Sequence, residues 1–246
     1  MKTVSQEKIE DLIENGYAMN VTDYISGGIQ MVKDNLGMFV GYTLLMFVIS
    51  SVAGMMPFGS IAVGAPLSAG FFIAANRLNQ GYEIELGDFF KGFEYFGQLV
   101  VYSLLMLLAF AALAIPAGVF IGSMFILDFD SEVAILFSLV FGFASAIAIT
   151  YFAVSFMWAP HLIVFGNKKA FESLDLSRRI IRNDFWNFIG MGILLGLMNI
   201  AGAMFFGIGL LFTIPASACA LYLAFEDVTE MSLDGDDQYI DRHLVD

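Results

Sequence analysis

The sequence predicts an all-α polytopic membrane protein, with six transmembrane helices as three hairpins, each preceded by an interfacial amphipathic helix. Three observations predict it. Four stretches, 35–76, 95–127, 133–167 and 185–225, hold no Asp, Glu, Lys or Arg. The first and last are about twice the roughly 20 residues that one spanning helix needs, so each holds two. Threaded as six spans, the chain puts all 11 of its Lys and Arg on one side of the bilayer.

Composition agrees. The chain is 59% hydrophobic and 14% charged, against roughly 45–50% and about 25% in soluble domains. A soluble core would need four long uncharged stretches with no polar face. A chain of 246 residues suits one domain. The net charge of −13 excludes nucleic acid as a partner, because phosphates are neutralised by Lys and Arg. A single cysteine, Cys219, excludes a disulfide framework or a zinc site.

Residues 1–34 read as cytoplasmic amphipathic helices. A Thr3…Gln6 capping box opens a helix with Ile9, Leu12, Ile13 and Tyr17 on one face. Ile25, Ile29 and Val32 then recur at helical spacing. No basic segment followed by an apolar run occurs here, so the first span serves as its own insertion signal.

The membrane domain covers 35–226, with spans at about 36–56, 61–78, 96–119, 135–158, 187–205 and 210–225. Pro57-Phe58-Gly59 turns the chain between spans one and two, and Gly207-Ile208-Gly209 between five and six. A loop with Asp128, Asp130 and Glu132 joins spans three and four. Phe89, Phe90 and Phe93 precede span three. Phe171, Leu174, Ile180 and Ile181 precede span five, with Arg178, Arg179 and Arg182 around them. Such segments suit the interface, their basic side at lipid phosphates. The remainder, 227–246, is an acidic cytoplasmic tail; its Asp234-Gly235-Asp236-Asp237 lacks EF-hand spacing and reads as solvated.

Orientation follows from the cations. Lys2, Lys8 and Lys33 precede span one, and Arg77 and Lys91 lie between spans two and three. Lys168, Lys169, Arg178, Arg179 and Arg182 lie between four and five, and Arg242 is in the tail. The positive-inside rule makes both termini cytoplasmic. Trp158 and Trp186, at the cytoplasmic ends of spans four and five, read as interfacial anchors.

An internal repeat emerges at one offset. Phe39-Val40-Gly41 returns 149 residues later as Phe188-Ile189-Gly190, and Ala65-Pro66-Leu67-Ser68-Ala69 as Ile214-Pro215-Ala216-Ser217-Ala218. Tyr102-Ser103-Leu104-Leu105-Met106 echoes Tyr42-Thr43-Leu44-Leu45-Met46, and Ala159-Pro160 ends the returning span of that middle copy. Copies separated by an even number of spans are parallel, unlike inverted carrier repeats. Pro66, Pro160 and Pro215 either kink helices for packing or border a central pocket.

The spans hold no ionisable group that catalysis or ion coupling would use; Arg77 stands at the extreme end of span two. His161 is expected to be a satisfied interfacial side chain, and His243 lies in the tail. Asn199, in mid-span five, is expected to bond another helix. Gly37…Gly41, Gly118…Gly122 and Gly192…Gly196 suggest close helix packing and a homo-oligomer. No catalytic motif, metal set or cofactor site is expected. Asp175, four residues before Arg179, forms an internal pair, leaving the other cations of 168–182 for anionic headgroups.

The last third, from Ala170-Phe171-Glu172 and Ser177-Arg178-Arg179-Ile180-Ile181 through Gly207-Ile208-Gly209-Leu210-Leu211-Phe212-Thr213-Ile214-Pro215 to Phe225-Glu226-Asp227, carries a resemblance. So does the approach to span one, Tyr24-Ile25-Ser26 to Asn35-Leu36-Gly37. The chain resembles a group of uncharacterised six-helix bacterial membrane proteins, and distantly the membrane domain of glycerophosphoryl diester phosphodiesterases. That implies the bacterial inner membrane and no hydrolase, since the phosphodiesterase's catalytic domain has no counterpart. Relatives are at times labelled carotene-cleaving oxygenases, a chemistry needing a multi-histidine iron site that two histidines do not build.

The expected function is therefore non-enzymatic: a scaffold, assembly factor or lipid-interacting accessory, partnered by anionic lipids, by copies of itself or by another membrane protein. The alternative is a transporter or permeation path for a neutral or lipidic solute. A membrane enzyme would require His161 and Asn199 to converge with an acid.

Overall fold

A computed structural model describes residues 2–4, 6–127 and 132–233. Asp128, Asp130 and the tail from Asp234, with Arg242 and His243, lie outside the described residues, as do the side chains of Thr3 and Gln6. The chain runs β1 (Lys2–Thr3), α1 (Gln6–Asn15), α2 (Val21–Asp34), α3 (Leu36–Ala53), α4 (Gly59–Asn79), α5 (Leu86–Phe89) and a 3-10 helix (Phe90–Tyr95). It continues as α6 (Phe96–Leu127), α7 (Glu132–Ser155), α8 (Ala159–Phe165), α9 (Ala170–Arg182), α10 (Phe185–Met204), α11 (Leu210–Thr229) and β2 (Ser232–Leu233). Among the described residues, six helical stretches are long and apolar enough to cross a bilayer: Leu36–Ala53, Gly59–Asn79, Leu86–Ile115, Leu139–Phe165, Phe185–Met204 and Leu210–Thr229.

Leu44, Val48 and Val52 on α3, and Ile193, Leu197 and Ile200 on α10, remain exposed. Apolar side chains in that number are tolerable outside only in lipid. The inward helices are α4 and α11, whose Pro66–Gly70 and Pro215–Ala220 segments are rich in small residues and lie largely buried.

The span limits differ most from expectation in two places. Span three continues through Leu127, because Phe125-Ile126-Leu127 offers no breaker and helix propagates cheaply once nucleated. Span four unwinds at Phe156–Trp158 and restarts as α8, with Pro160 in its first turn, where a missing N–H costs nothing. Nearly every side chain of α8 is buried, so it is a central helix.

Three approach segments pack on three different returning helices: α2 on α11, the 3-10 helix on α4, and α9 on α8. Glycine permits the first two contacts. A Cβ on Gly28 would stand 2.6 Å from the Ala216 oxygen and the Ala220 nitrogen, and one on Gly92 would collide with the Pro66 oxygen. Beside the third contact α9 also meets the end of α7, where the buried Ser177 hydroxyl donates to the Ser155 carbonyl at 2.9 Å. The segment before span three is not a regular amphipathic helix. One α-turn passes into the 3-10 helix there, with Phe89 buried.

The two ends of the described chain meet. Lys2 and Thr3 pair antiparallel with Leu233 and Ser232, Lys8 bridges Glu230 at 3.0 Å, and Val4 N–H donates to the Phe165 carbonyl at 3.2 Å. Helix α1 seats Ile9 and Leu12 in the core. Tyr17 Oη donates to the Ile180 carbonyl at 2.9 Å, and Asn183 Nδ2 donates to the carbonyls of Leu12 and Ile13 at 2.9 and 3.0 Å.

Candidate functional site

The structure separates the residues singled out in the sequence into three places. His161 lies at the centre, fully buried. Its ring stacks on Phe72 at 3.9 Å and lies 5.2 Å from the Phe225 ring. The Met157 carbonyl faces it, yet neither ring nitrogen has a hydrogen bond of normal geometry. The expectation of a satisfied interfacial histidine fails, because the restart of the helix at Ala159 turns His161 inward.

Trp158 is corrected for the same reason. It is wholly buried, edge-on to Phe188 at 4.6 Å and to Phe225 at 5.4 Å, and its Nε1 has no partner. It is a core residue and not an anchor. Trp186, by contrast, is 80% exposed.

Asn199 lies elsewhere. Its Nδ2 donates to Ser217 Oγ at 2.8 Å and to the Leu195 carbonyl at 2.9 Å, so it joins α10 to α11. Ser217 and Phe225 are eight residues apart on α11, about 12 Å along the axis. Asn199 and His161 therefore sit at different levels and do not converge. Among the described residues no group of three His, Cys, Asp or Glu side chains is arranged to hold a metal.

The prolines border packed backbone. The Pro66 carbonyl lies under Gly92 and the residue after Pro215 under Gly28, which fills the space beside both. Three recesses among the described residues are lined by Asn35, Leu78 and 81–84, by residues of α7 and α10 with Met157, and by the end of α4 with Tyr82 and Lys91; none of these includes Pro66, Pro160 or Pro215. Within the chain the glycine pairs do not mark close helix packing. A Cβ at Gly37, Gly41, Gly118, Gly122, Gly192 or Gly196 would meet nothing within 4 Å. The close approaches to backbone include Gly28, Gly59, Gly70, Gly92 and the Gly202–Gly209 contact instead.

Helix α9 carries the basic cluster. Its buried side is Ala170, Ser173, Ser177, Ile180 and Ile181, so Phe171 is not on it; Phe171 is 69% exposed. Phe171, Asp175, Arg178 and Arg182 recur at helical spacing along the outer face. Asp175 accepts Arg179 at 2.8 Å and Arg178 at 3.3 Å, and Lys168 pairs with Glu172 at 2.8 Å. Lys169, Arg178, Arg179 and Arg182 are exposed. One aspartate between two arginines leaves this face positive.

Three polar contacts have partners that the sequence does not identify. Asn76 Nδ2 donates to Tyr222 Oη at 3.1 Å in the core, and Gln80 Nε2 donates to Asn76 Oδ1. Tyr24 Oη donates to Asp227 Oδ2, and burial, followed by that carboxylate, pushes the phenol up to about 12. Asn and Tyr inside apolar runs indicate that bonds exist without saying to what. No protein family, no curated protein and no solved structure gives a significant match to this chain.

Proposed function

We propose that this chain is a non-enzymatic multi-pass membrane protein acting as a scaffold, assembly or lipid-interacting accessory in a bacterial inner membrane, with both termini cytoplasmic. The observation that carries the reading is the outer face of α9. Exposed Phe171 and Trp186 accompany exposed Arg178, Arg179 and Arg182 on elements whose other side is buried. Aromatic rings at headgroup depth beside arginines suit an anionic lipid surface.

In this reading the architecture is three parallel units, each an approach helix followed by a hairpin: α2 with α3–α4, α5 and the 3-10 helix with α6–α7, and α9 with α10–α11. Support comes from burial that recurs 149 residues apart. Tyr24 and Ser173, Gly28 and Ser177, Val32 and Ile181, Phe39 and Phe188, Pro66 and Pro215 are all buried. Each approach segment packs on the returning helix of the preceding unit, and α2 on that of the last, which closes a ring. Pairing of β1 with β2 favours termini on one side, as an even number of spans requires. The likeness to six-helix bacterial membrane proteins belongs to the same proposal.

A permeation path draws no support from the prolines, whose surroundings are occupied by Gly28 and Gly92. Native mass spectrometry of the purified chain from anionic membranes tests the function. Retained anionic lipid or a co-purifying membrane protein is expected, and neither above background refutes it. Topology is read by cysteine labelling of intact cells in a Cys219→Ser background. Phe206→Cys, 99% exposed at the opposite turn, is expected to label, whereas Leu174→Cys beside the arginines is not.

A further inference from the structure

Where α4 ends, Ile73, Asn76, Arg77, Gln80, Tyr82 and Lys91 line a recess of about 220 Å³. Two cations meet there over one carboxylate. Arg77 Nε lies 3.1 Å from Asp88 Oδ2, and Lys91 Nζ 2.7 Å from Asp88 Oδ1. Asp88 is occupied from within the fold, being 6% exposed and also accepting the backbone N–H of Glu85 at 2.9 Å. Its one negative charge cannot balance both partners, so the recess is left positive. The neighbouring Glu83 and Glu85 are exposed and do not line it.

The cations are also held in place. The Arg77 guanidinium donates to the Glu83 carbonyl at 3.4 Å and stands 5.8 Å from the Tyr82 ring centroid. Gln80 Nε2 donates to the Asn76 carbonyl at 3.2 Å, while Asn76 reaches across to Tyr222. The opening thus has fixed donors on two sides and amides at its base. A tetrahedral oxyanion suits such a site: a guanidinium gives it a planar fork and an ammonium a point charge. Arg77 ends an otherwise uncharged span, so the recess lies at headgroup depth.

We propose that this recess binds a phosphate group, carried by an anionic phospholipid or by a soluble phosphate ester. The lipid form rests on the lipid-interacting reading above; the soluble form does not. The test uses the full chain in nanodiscs of phosphatidylglycerol and phosphatidylcholine, read by native mass spectrometry for retained lipid. Glycerol 3-phosphate is titrated in a separate calorimetric arm. Three variants are compared: Lys91→Gln, which leaves the Arg77–Asp88 pair intact; Arg77→Gln with Asp88→Asn, which removes that pair together; and Arg178→Gln with Arg179→Gln on α9. Unfolding midpoints verify that each is folded.

Loss of one charge-assisted contact weakens binding roughly tenfold. A drop of that size in phosphatidylglycerol retention for the two recess variants, and not for the α9 variant, supports the lipid source. Saturable glycerol 3-phosphate binding that Lys91→Gln weakens supports the soluble source. Retention lost only in the α9 variant, with no soluble binding, overturns the recess and leaves the lipid-interacting reading standing. No preference for phosphatidylglycerol and no soluble binding overturns both.

Discussion

Tyr24 and Asp227 are 203 residues apart, and the Tyr24 hydroxyl donates a hydrogen bond to Oδ2 of Asp227. The bond ties the first approach helix to the end of the last helix, next to the Lys8–Glu230 bridge and the β1–β2 pair. Burial and the carboxylate raise the phenol from the usual 10.0 to about 12. Above pH 10 the unfolded chain releases this proton while the folded chain retains it. Stability therefore falls as pH rises from about 10 through about 12, and the contribution is complete below 10. Tyr24→Phe should cost about 1–2 kcal/mol near neutral pH and flatten the alkaline fall. Unfolding midpoints in detergent across that range check both; unchanged values in both regimes defeat the prediction.

Gly28 is required by contact with backbone and not by a special φ. Gly28→Ala pushes a methyl onto Ala216 and Ala220 backbone atoms at 2.6 Å, which cannot rotate away, and should cost about 1–3 kcal/mol. Gly37→Ala enters open space on α3 and should be neutral or stabilising by up to about 1 kcal/mol. Thermal unfolding of the pair decides, and the reverse ranking sinks the argument.

His161→Phe keeps a ring against Phe72 and removes two nitrogens that lack partners. It should leave stability unchanged or raise it by about 1 kcal/mol, because an unmet buried polar group costs that much. A strongly lowered midpoint would mean that the imidazole has a polar role the packing does not explain.

Asn199 and Ser217 couple α10 to α11 inside the apolar region. A double-mutant cycle with Asn199→Leu and Ser217→Ala should give a coupling of about 0.6 kcal/mol, within an upper bound of about 1.7. Zero coupling would leave the 2.8 Å contact without energetic weight.

How far the sequence could be read depends on the range of the physics involved. Uncharged length is a local quantity, and every segment expected to cross the bilayer contains a helix able to do so. The Asp175–Arg179 pair is local too, set by one helical turn. Trp158 and His161 stand at a boundary only if span four ends there. The chain instead breaks and restarts as a buried helix, an event decided by packing against α4 and α9. Hydrophobicity alone does not mark the buried side of α9, where Ser173 and Ser177 are buried and Phe171 is exposed.

By itself the sequence determined that oily segments exist and how many there are, since both follow from transfer energies counted along the chain. Only the tertiary structure decided which glycines touch a neighbour, that Lys91 and Arg77 share Asp88, and that α2 closes onto α11. Apart from the one-turn Lys91–Asp88 pair, those are distances between residues separated in order. Inside a membrane, where hydrophobicity does not rank one helix partner above another, they are set by shape and by a few polar bonds.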